Sequence, residues 1–235
     1  MGITAENVAA EYKITRDDQD AFSLESQNRA AIAIKAGYFT KQITDIQIKE
    51  RGKIVTFCED EHPKMSDINT LSALPSVFSK DGTVTAGNSS GLNDGAAAII
   101  LGTRSSAKEL GLQPLVSIIG YAHSGVRPEV MGIGPITAVK NLLATTGLKI
   151  TDFDVIESNE AFAAQACAVS KELELNTEKV NPNGGAIALG HPIGATGAIL
   201  VIKAIAELER TNTSKALITM CIGGGQGIAL AIDKN

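Results

Sequence analysis

The stretch NPNGGAIALGHPIGATGA, residues 181–198, is the segment that decides how this sequence is interpreted. It places His191 beside several glycines and immediately before a segment that favours a helix. Glycine permits positive φ angles and close approach of the backbone to a ligand, at a cost to stability elsewhere. A second run, CIGGGQG at residues 221–227, adds Cys221 with its own glycine loop. Together the two runs predict a site formed by an imidazole, a thiol and exposed backbone.

The segments around these runs alternate between strand and helix patterns, which predicts a layered α/β fold with a mixed sheet. Short apolar runs bounded by turn residues predict strands at 115–122, 154–158, 216–221 and 228–232. Longer segments predict helices at 136–146, 161–173 and 194–208. The last two strands are expected to form a hairpin around the triple glycine.

The first part of the chain has fewer clear elements. Thr15 and Asp18 form the Thr-x-x-acid pattern of a capping box, and the helix that it starts is predicted to end at Gly37. Residues 43–55 alternate well enough to predict a strand or hairpin. Residues 96–101 form a short continuous apolar run, which predicts a buried central strand.

Composition limits the class of protein. The 235 residues are 44% hydrophobic and 20% charged, as in soluble globular proteins. A net charge of −5 and an aromatic content of 4% without Trp argue against nucleic acid as a partner. Neither a membrane span nor a signal peptide is found in the sequence. The three cysteines lack CxxC spacing, which argues against disulfides or a zinc ribbon and predicts a cytoplasmic setting.

Asn159 follows a predicted strand, and two interpretations of it stay open. As an N-cap it would only start the next helix, which is the better hypothesis for an isolated Asn. At the carboxyl end of a strand, where α/β proteins bind ligands, it is also a site candidate. Among the three histidines, His62 and His123 have the settings of structural residues. His191 differs because glycines surround it and a helix N-terminus follows, an arrangement that stabilises negative charge.

Cys221 ends a predicted strand and opens the glycine loop, whereas Cys167 lies mid-helix among alanines and is predicted to be an inert core thiol. The backbone N–H groups of Gly223 and its neighbours are available to form an oxyanion hole. A thiol near an imidazole acts as acid, base or nucleophile. The glycine runs have neither the Gly-Lys-Ser/Thr of a P-loop nor the strand-to-helix context of a dinucleotide fingerprint. This chemistry suits acyl transfer or enolate formation, with no metal implied.

Four motifs in this order resemble the signatures of the thiolase family, and in particular of its acetyl-CoA acetyltransferases. They are TAGNSSGLNDGAAA at 85–98, NEAFAAQ at 159–165, GGAIALGHPIGATG at 184–197 and CIGGGQG at 221–227. The opening MGITAENVA is also similar to an internal stretch of that family. The resemblance runs nearly end to end along this chain, but it covers only the C-terminal three-fifths of a thiolase.

The resemblance implies a thiolase-like layered fold whose C-terminal domain has a mixed five-stranded sheet in the order βαβαβαββ. It implies a partial CoA-covering loop domain at 1–82, a remnant of the N-terminal thiolase domain at 83–113 and the C-terminal thiolase domain at 114–235. The absent half would leave residues 96–101 without sheet neighbours, which predicts exposed apolar surface and association.

The resemblance also implies roles for the residues that match the motifs. His191 would activate the nucleophilic cysteine of the family and, with Asn159 acting through a water, would hold the thioester oxygen. Cys221 would exchange a proton with the methyl group of acetyl-CoA, and the Gly223 N–H would contribute to a second oxyanion hole. The pantetheine and thioester pocket would be lined by Met1, Ala86, Ser90, Ala161 and Phe162.

The acyl-accepting cysteine of the family has no counterpart here. Cys58 stands in TFCEDEHP, Cys167 lies in a predicted helix, and Cys221 matches the second catalytic cysteine. Without that nucleophile no covalent acyl-enzyme forms in the family's way, so acetyl-CoA C-acetyltransferase activity is expected only when the missing half is supplied. Two alternatives stay open: a non-catalytic acyl-CoA-binding protein, and an enzyme in which Cys221 itself accepts the acyl group.

The expected ligands are acetyl-CoA, acetoacetyl-CoA and CoA, with the thioester as substrate and no separate cofactor or metal. The expected protein partner is a second copy of the chain or the missing N-terminal half. Neither nucleic acid nor a membrane is expected as a partner. Lipid metabolism in the cytoplasm is the expected setting.

Overall fold

The computed structural model describes residues 1–234 of the chain. The elements of its first part are α1 (Gly2–Tyr12), α2 (Arg16–Lys35), β1 (Ile46–Glu50), β2 (Lys53–Phe57), α3 (Ile68–Ser72) and α4 (Arg104–Glu109). The elements of the remainder are β3 (Ser117–Gly125), α5 (Gly134–Thr146), β4 (Val155–Ser158), α6 (Ala163–Glu172), α7 (Ala186–Leu189), α8 (Thr196–Thr211), β5 (Lys215–Ile222) and β6 (Gln226–Asp233). Short 3₁₀ helices lie at Pro128–Ile133 and Ile150–Asp152. Within residues 1–234, no helix combines the length and apolar character needed to cross a membrane.

The sheet at the centre of the C-terminal part is mixed and has the order β3-β6-β5-β4. β5 runs parallel to β4 and antiparallel to β6, and β6 is antiparallel to β3. Alternate residues of β5 face opposite layers, since Leu217 packs with residues of α5 and α6 while Ile218 packs with residues of α8. The predicted layered α/β fold with a mixed sheet is therefore confirmed.

The sheet has four strands among the described residues, where five were predicted. Beside β4 the chain pairs through one isolated parallel bridge, between Val180 and Ile156. Ile156 N–H donates to Lys179 O (2.9 Å), and Asn181 N–H donates to Ile156 O (2.8 Å). The next residue, Pro182, has no N–H, and Asn181 adopts a φ of +44°, so the ladder cannot extend. The fifth strand is thereby limited to a bridge.

Local signals set several element boundaries as predicted. Thr15 Oγ1 accepts from Asp18 N–H (3.1 Å) while Asp18 Oδ2 accepts from Thr15 N–H (2.8 Å), which confirms the capping box. The helix α2 ends shortly before Gly37, whose φ of +73° breaks the helix. The hairpin predicted in residues 43–55 is present as the antiparallel pair of β1 and β2.

The prediction of a buried central strand at residues 96–101 is wrong. This segment has no regular secondary structure, and Ile100 and Leu101 are 91% and 75% exposed. A strand needs a neighbour that pairs with its backbone N–H and C=O groups, and among residues 1–234 no strand lies beside this segment. The apolar run therefore stays at the surface, as the resemblance implied.

Candidate active site

The candidate site lies at one edge of the mixed sheet. β4 and β5 are parallel neighbours, so their carboxyl ends meet at the same edge, where α/β proteins place ligands. Asn159 directly follows β4, Cys221 is near the end of β5, and His191 lies between α7 and α8. The backbone of Asn159 is held on both sides, because its N–H donates to Thr219 O (3.0 Å) and its C=O accepts from Gln165 Nε2 (3.1 Å).

A loop at residues 88–93 connects the segments that carry these side chains. The N–H and the hydroxyl of Ser90 both donate to Ala161 O, at 3.1 and 2.9 Å. Further along the loop, Asn93 Oδ1 accepts a hydrogen bond from His191 N–H (3.0 Å). The loop therefore links the segment that follows β4 to the backbone of His191.

The hydrogen bonds of His191 assign its proton to Nδ1. Thr196 Oγ1 lies 2.7 Å from Nδ1, and it donates its single proton to Pro192 O (2.9 Å), so it accepts from Nδ1–H. On the other side of the ring, Asn159 Nδ2 lies 3.4 Å from Nε2 and offers a donor to it. Burial lowers the pKa of His191, so the ring is neutral at pH 7 with its lone pair on Nε2.

Asn159 is not the N-cap of α6, because Phe162 occupies that position. Its side chain is buried, and its Oδ1 accepts no hydrogen bond from any group in residues 1–234. A buried amide oxygen without a donor costs free energy in a folded protein, so it needs a reason. Of the two interpretations left open by the sequence, the site residue is the one that this placement favours.

Cys221 lies in a small apolar cluster at the end of β5. The cluster consists of Met131, Ala161 and Cys221, with Phe162 packed against it. Burial raises the pKa of the Cys221 thiol to about 11, so the thiol is protonated at neutral pH. Among residues 1–234, no group of three or more His, Cys, Asp or Glu side chains converges to hold a metal ion.

The glycine loop after Cys221 is shaped by two positive φ angles. Gly224 and Gly225 have φ of +87° and +94°, which residues with a Cβ rarely adopt. Gly225 is also packed against the backbone, since an added Cβ would overlap Val126 O. Gly223 is exposed, and the side chain of Met1 lies beside it, with Cε 3.6 Å from where a Gly223 Cβ would stand. The loop thus presents bare backbone at the surface.

The candidate residues fall into contacting groups. The side chain of Asn159 contacts that of His191. Cys221 packs with Ala161 and Phe162, and Ser90 is hydrogen-bonded to Ala161. Met1 lies beside Gly223. Ala86 is exposed in its loop. Among residues 1–234, no hydrogen bond joins His191 to Cys221.

The two histidines and the one cysteine predicted to be structural have different surroundings. His123 is exposed on β3, and burial raises the pKa of Cys167 to about 12, as expected of an inert thiol. His62 is closer to the site than predicted, because its Nε2 lies 3.2 Å from Ile187 O and its Nδ1 lies 3.3 Å from Asn93 Nδ2. The charged setting of His62 in the sequence gave no signal for these contacts.

Thr196 and Asn93 are further neighbours of His191 that sequence reasoning missed. Thr196 lies in the quoted glycine-rich motif, five positions after His191, where it starts α8. The only feature of the sequence that pointed to Thr196 was its position five residues after His191. Asn93 lies in another quoted motif, but only the fold brings it to His191.

Two family models match the chain. The model of the thiolase C-terminal domain matches residues 112–234, and that of the thiolase N-terminal domain matches residues 1–105. The chain belongs to the thiolase family. Neither model tests the three-part division of this thiolase chain given above, which stays a prediction.

Named thiolases resemble the chain along its whole length. Beta-ketothiolase BktB of Cupriavidus necator is 56% identical over 236 residues, which cover 100% of this chain and 60% of that relative. The crystal structure of the Bacillus anthracis acetyl-CoA acetyltransferase has a TM-score of 0.98 and 50% identity, over 100% of this chain and 60% of its own. The crystal structure of human mitochondrial 3-ketoacyl-CoA thiolase in complex with CoA has a TM-score of 0.93 and 42% identity. That match covers 100% of this chain and 59% of the human chain. The chain therefore spans about 60% of the length of the relatives that it matches.

Proposed function

We propose that these residues act on acetyl-CoA and acetoacetyl-CoA as the proton-transfer machinery of an acetyl-CoA C-acetyltransferase. The observation that carries the proposal is the neutral His191, held by Thr196 with its Nε2 lone pair directed to Asn159 at the carboxyl edge of the sheet. The reaction would join two acetyl-CoA molecules into acetoacetyl-CoA and CoA, or run in reverse as thiolysis. CoA takes part as a substrate, and we propose no separate cofactor.

In the condensation direction, the Cys221 proton would pass through a water to Nε2 of His191, to which Cys221 is not hydrogen-bonded directly, and the resulting thiolate would take a proton from the acetyl methyl group. The imidazolium Nε2–H would then face the thioester oxygen as negative charge develops on it. The unpaired Oδ1 of Asn159 supports the water-mediated role in the same oxyanion hole that the resemblance implies. The Gly223 N–H would supply a donor to the second oxyanion hole.

In the thiolysis direction, Cys221 would begin protonated and give its proton to the carbon of the departing acetyl-CoA enolate. The raised pKa of Cys221, about 11, supplies the protonated form that this step requires at neutral pH. The exposed Met1 and Ala86 and the partly buried Ser90 are proposed to line the pantetheine path, with Ala161 and Phe162 at the thioester.

Covalent acyl transfer also needs a nucleophilic thiol. Burial raises the pKa of Cys167 and of Cys221, which disfavours the reactive thiolate in both. The third cysteine, Cys58, is exposed and lies outside the motifs that resemble the family. We propose that a further polypeptide segment supplies this thiol, and that a homo-oligomer in the cytoplasm is the working form. The raised pKa argues against Cys221 as the acyl acceptor.

One partial reaction tests the proposal without the second thiol. In D₂O, removal and return of the acetyl methyl proton by Cys221 would place deuterium on acetyl-CoA, which NMR detects. We expect exchange by the unchanged chain, with H191A and C221A each slowing it by about 10²-fold or more. The control is C58S, which removes an exposed thiol and should leave the exchange rate unchanged.

Binding of acetyl-CoA, measured by calorimetry on the same samples, separates the alternatives. Saturable binding without exchange would favour the acyl-CoA-binding protein over the enzyme. Absence of both from the folded chain would reject the whole proposal. Exchange that persists in C221A would reject the assigned role of Cys221.

A further inference from the structure

Glu160, the residue after Asn159, is fully buried and accepts hydrogen bonds from three separate segments. Its Oε2 accepts from Ser26 Oγ (2.7 Å) of α2 and from Ile187 N–H (3.2 Å) of α7. Its Oε1 accepts from Asn181 Nδ2 (2.7 Å), on the chain that follows the bridge to β4. All three partners donate, so the site requires two acceptor oxygens, which is the pattern of a carboxylate.

Ser26 extends this network to the backbone before His191. Having donated its proton to Glu160, the Ser26 hydroxyl accepts from Gly185 N–H (3.0 Å). Gly185 is the N-cap of α7, and an added Cβ there would overlap the Glu160 carboxylate. One carboxylate therefore fixes both the start of α7, through Ser26, and its second residue, Ile187, directly.

The other end of the network reaches the chain that carries Asn159. Asn181 Nδ2 donates to Ser158 O (2.8 Å), and Asn181 Oδ1 accepts from Ser158 N–H (2.9 Å). Ser158 is the last residue of β4 and directly precedes Asn159. The Glu160 carboxylate thus lies between two hydrogen-bonded attachments, one next to Asn159 and one on the short helix that leads to His191.

We propose that Glu160 is a positioning residue that sets the separation between Asn159 and His191. It acts through Ser26, Ile187 and Asn181 and touches neither substrate nor reacting atoms. The inference rests on the proposed function for its catalytic meaning, whereas the placement of His191 can be measured without any reaction. It also explains why a glycine stands at position 185.

The substitution E160Q tests this role with almost no change of shape. A glutamine has one acceptor oxygen and one NH₂ group, and either orientation sets the NH₂ against a donor, Asn181 Nδ2 or the Ser26 and Ile187 pair. The matched control is E178Q, which changes an exposed carboxylate on the segment between α6 and α7 that also carries Asn181. A second variant, S26A, removes only the link to Gly185 and one donor to Glu160.

The readout is the imidazole titration of His191 followed by NMR, with the unchanged chain titrated in parallel as the reference. We expect the His191 midpoint in E160Q to rise toward the ordinary value of 6.5, because a displaced loop admits water, and a smaller rise in S26A. E178Q should leave it unchanged. In E160Q, the deuterium exchange rate at saturating acetyl-CoA should fall about tenfold, with little change in half-saturation.

A His191 titration in folded E160Q that superimposes on that of the unchanged chain would overturn the proposal. If E160Q does not fold, S26A decides in the same way, and an unshifted His191 in folded S26A overturns it. Failure of the proposed function is recognised separately, as absence of exchange by the unchanged chain, and it leaves the titration experiment valid.

Discussion

The hydroxyl of Thr196 decides which nitrogen of His191 carries the proton. A neutral imidazole is a base only at the nitrogen without a proton, so a wrong tautomer leaves the reactive side unable to accept one. Thr196 is fixed by its own bond to Pro192 O, and it therefore acts on Nδ1 only as an acceptor. The assignment gives His191 its Nε2 lone pair before any ligand binds.

Replacing Thr196 with Val should shift His191 from the Nδ1–H tautomer toward a mixture. Valine has nearly the same shape but no acceptor, so Nδ1–H loses its partner, while T196S keeps the hydroxyl and should keep the tautomer. ¹⁵N chemical shifts of the ring report the two forms directly. We expect proton exchange on acetyl-CoA to fall about tenfold or more in T196V. An Nδ1–H tautomer that persists unchanged in T196V would contradict this assignment.

The raised pKa of Cys221 predicts a thiol that reacts slowly at neutral pH. With a pKa of about 11, about one thiol in 10⁴ is ionised at pH 7, and alkylating reagents attack the thiolate. Mass spectrometry after iodoacetamide treatment should show rapid labelling of the exposed Cys58 and slow labelling of Cys221. The Cys221 rate should increase as the pH approaches 11, and equal rates for the two cysteines at pH 7 would contradict the prediction.

The sequence allowed some of the site residues to be predicted and concealed others. His191 and Cys221 stand out because glycines surround them, and these glycines have physical reasons, such as the positive φ of Gly225. Glu160 gives no such signal, since most glutamates are exposed and only the fold reveals that three donors converge on this one. The catalytic roles of His191, Cys221, Asn159 and Gly223 stay predictions until the exchange experiment is made.

At the level of elements, α8 is joined to β4 by a buried ion pair. Lys203 Nζ donates to Glu157 Oε2 (2.7 Å) and to Gly184 O (2.6 Å), and both side chains are almost inaccessible to water. Burial raises the pKa of Glu157 to about 7, while Lys203 acts in the opposite direction. Because this pKa lies above the ordinary value of 4.5, the contribution of Glu157 to stability is greatest below pH 4.5 and decreases as the pH rises through 7.

Removing one partner of this pair should be far more damaging than removing both. At about pH 8, K203M removes the cation that lowers the pKa of Glu157, so the buried carboxyl either stays ionised without a partner or takes up a proton. Either outcome costs free energy, and we expect K203M to lower the free energy of unfolding by about 3–5 kcal/mol. The double variant K203M/E157Q should lose less, and the cost of K203M should decrease at lower pH as Glu157 becomes protonated. Urea unfolding measures each value.

The partly exposed pair of Lys215 and Asp233 provides the matched control, because each side chain is 32% exposed. Solvent screens such pairs, so K215M should change the free energy of unfolding by about 0–1 kcal/mol. Equal costs for K203M and K215M would show that the buried pair does not hold α8 to β4.

The elements that could be predicted are those specified by local chemistry. The capping box of Thr15 starts α2, and Gly147, with a φ of +72°, ends α5 where the pattern indicated. The elements that could not be predicted depend on a neighbour. Residues 96–101 have the composition of a buried strand, yet a strand forms only beside another, and the single bridge at Val180 replaces a predicted strand for the same reason.

At the scale of the whole molecule, apolar side chains are exposed in several places, and they differ in how they are arranged. Ile100 and Leu101 are 91% and 75% exposed and adjacent in a segment without regular structure. Ile54 is also 75% exposed, but it stands opposite Lys49 in the β1–β2 hairpin, so no apolar side chain faces it across the pair of strands. Contiguous apolar surface drives association, whereas single exposed residues are normal on protein surfaces.

The substitution L101K should therefore reduce self-association of the chain, and I54K should not. Each change adds the same charge at a side chain with the same 75% exposure. A difference in self-association between the two variants therefore reports the position of the substitution and not the added charge. Burying a leucine of this exposure contributes about 1.5–3 kcal/mol, and its loss weakens association by roughly tenfold or more. Sedimentation velocity over a range of concentrations measures the effect. If I54K disperses the chain as well as L101K does, then net charge controls association and the segment at residues 96–101 has no special role.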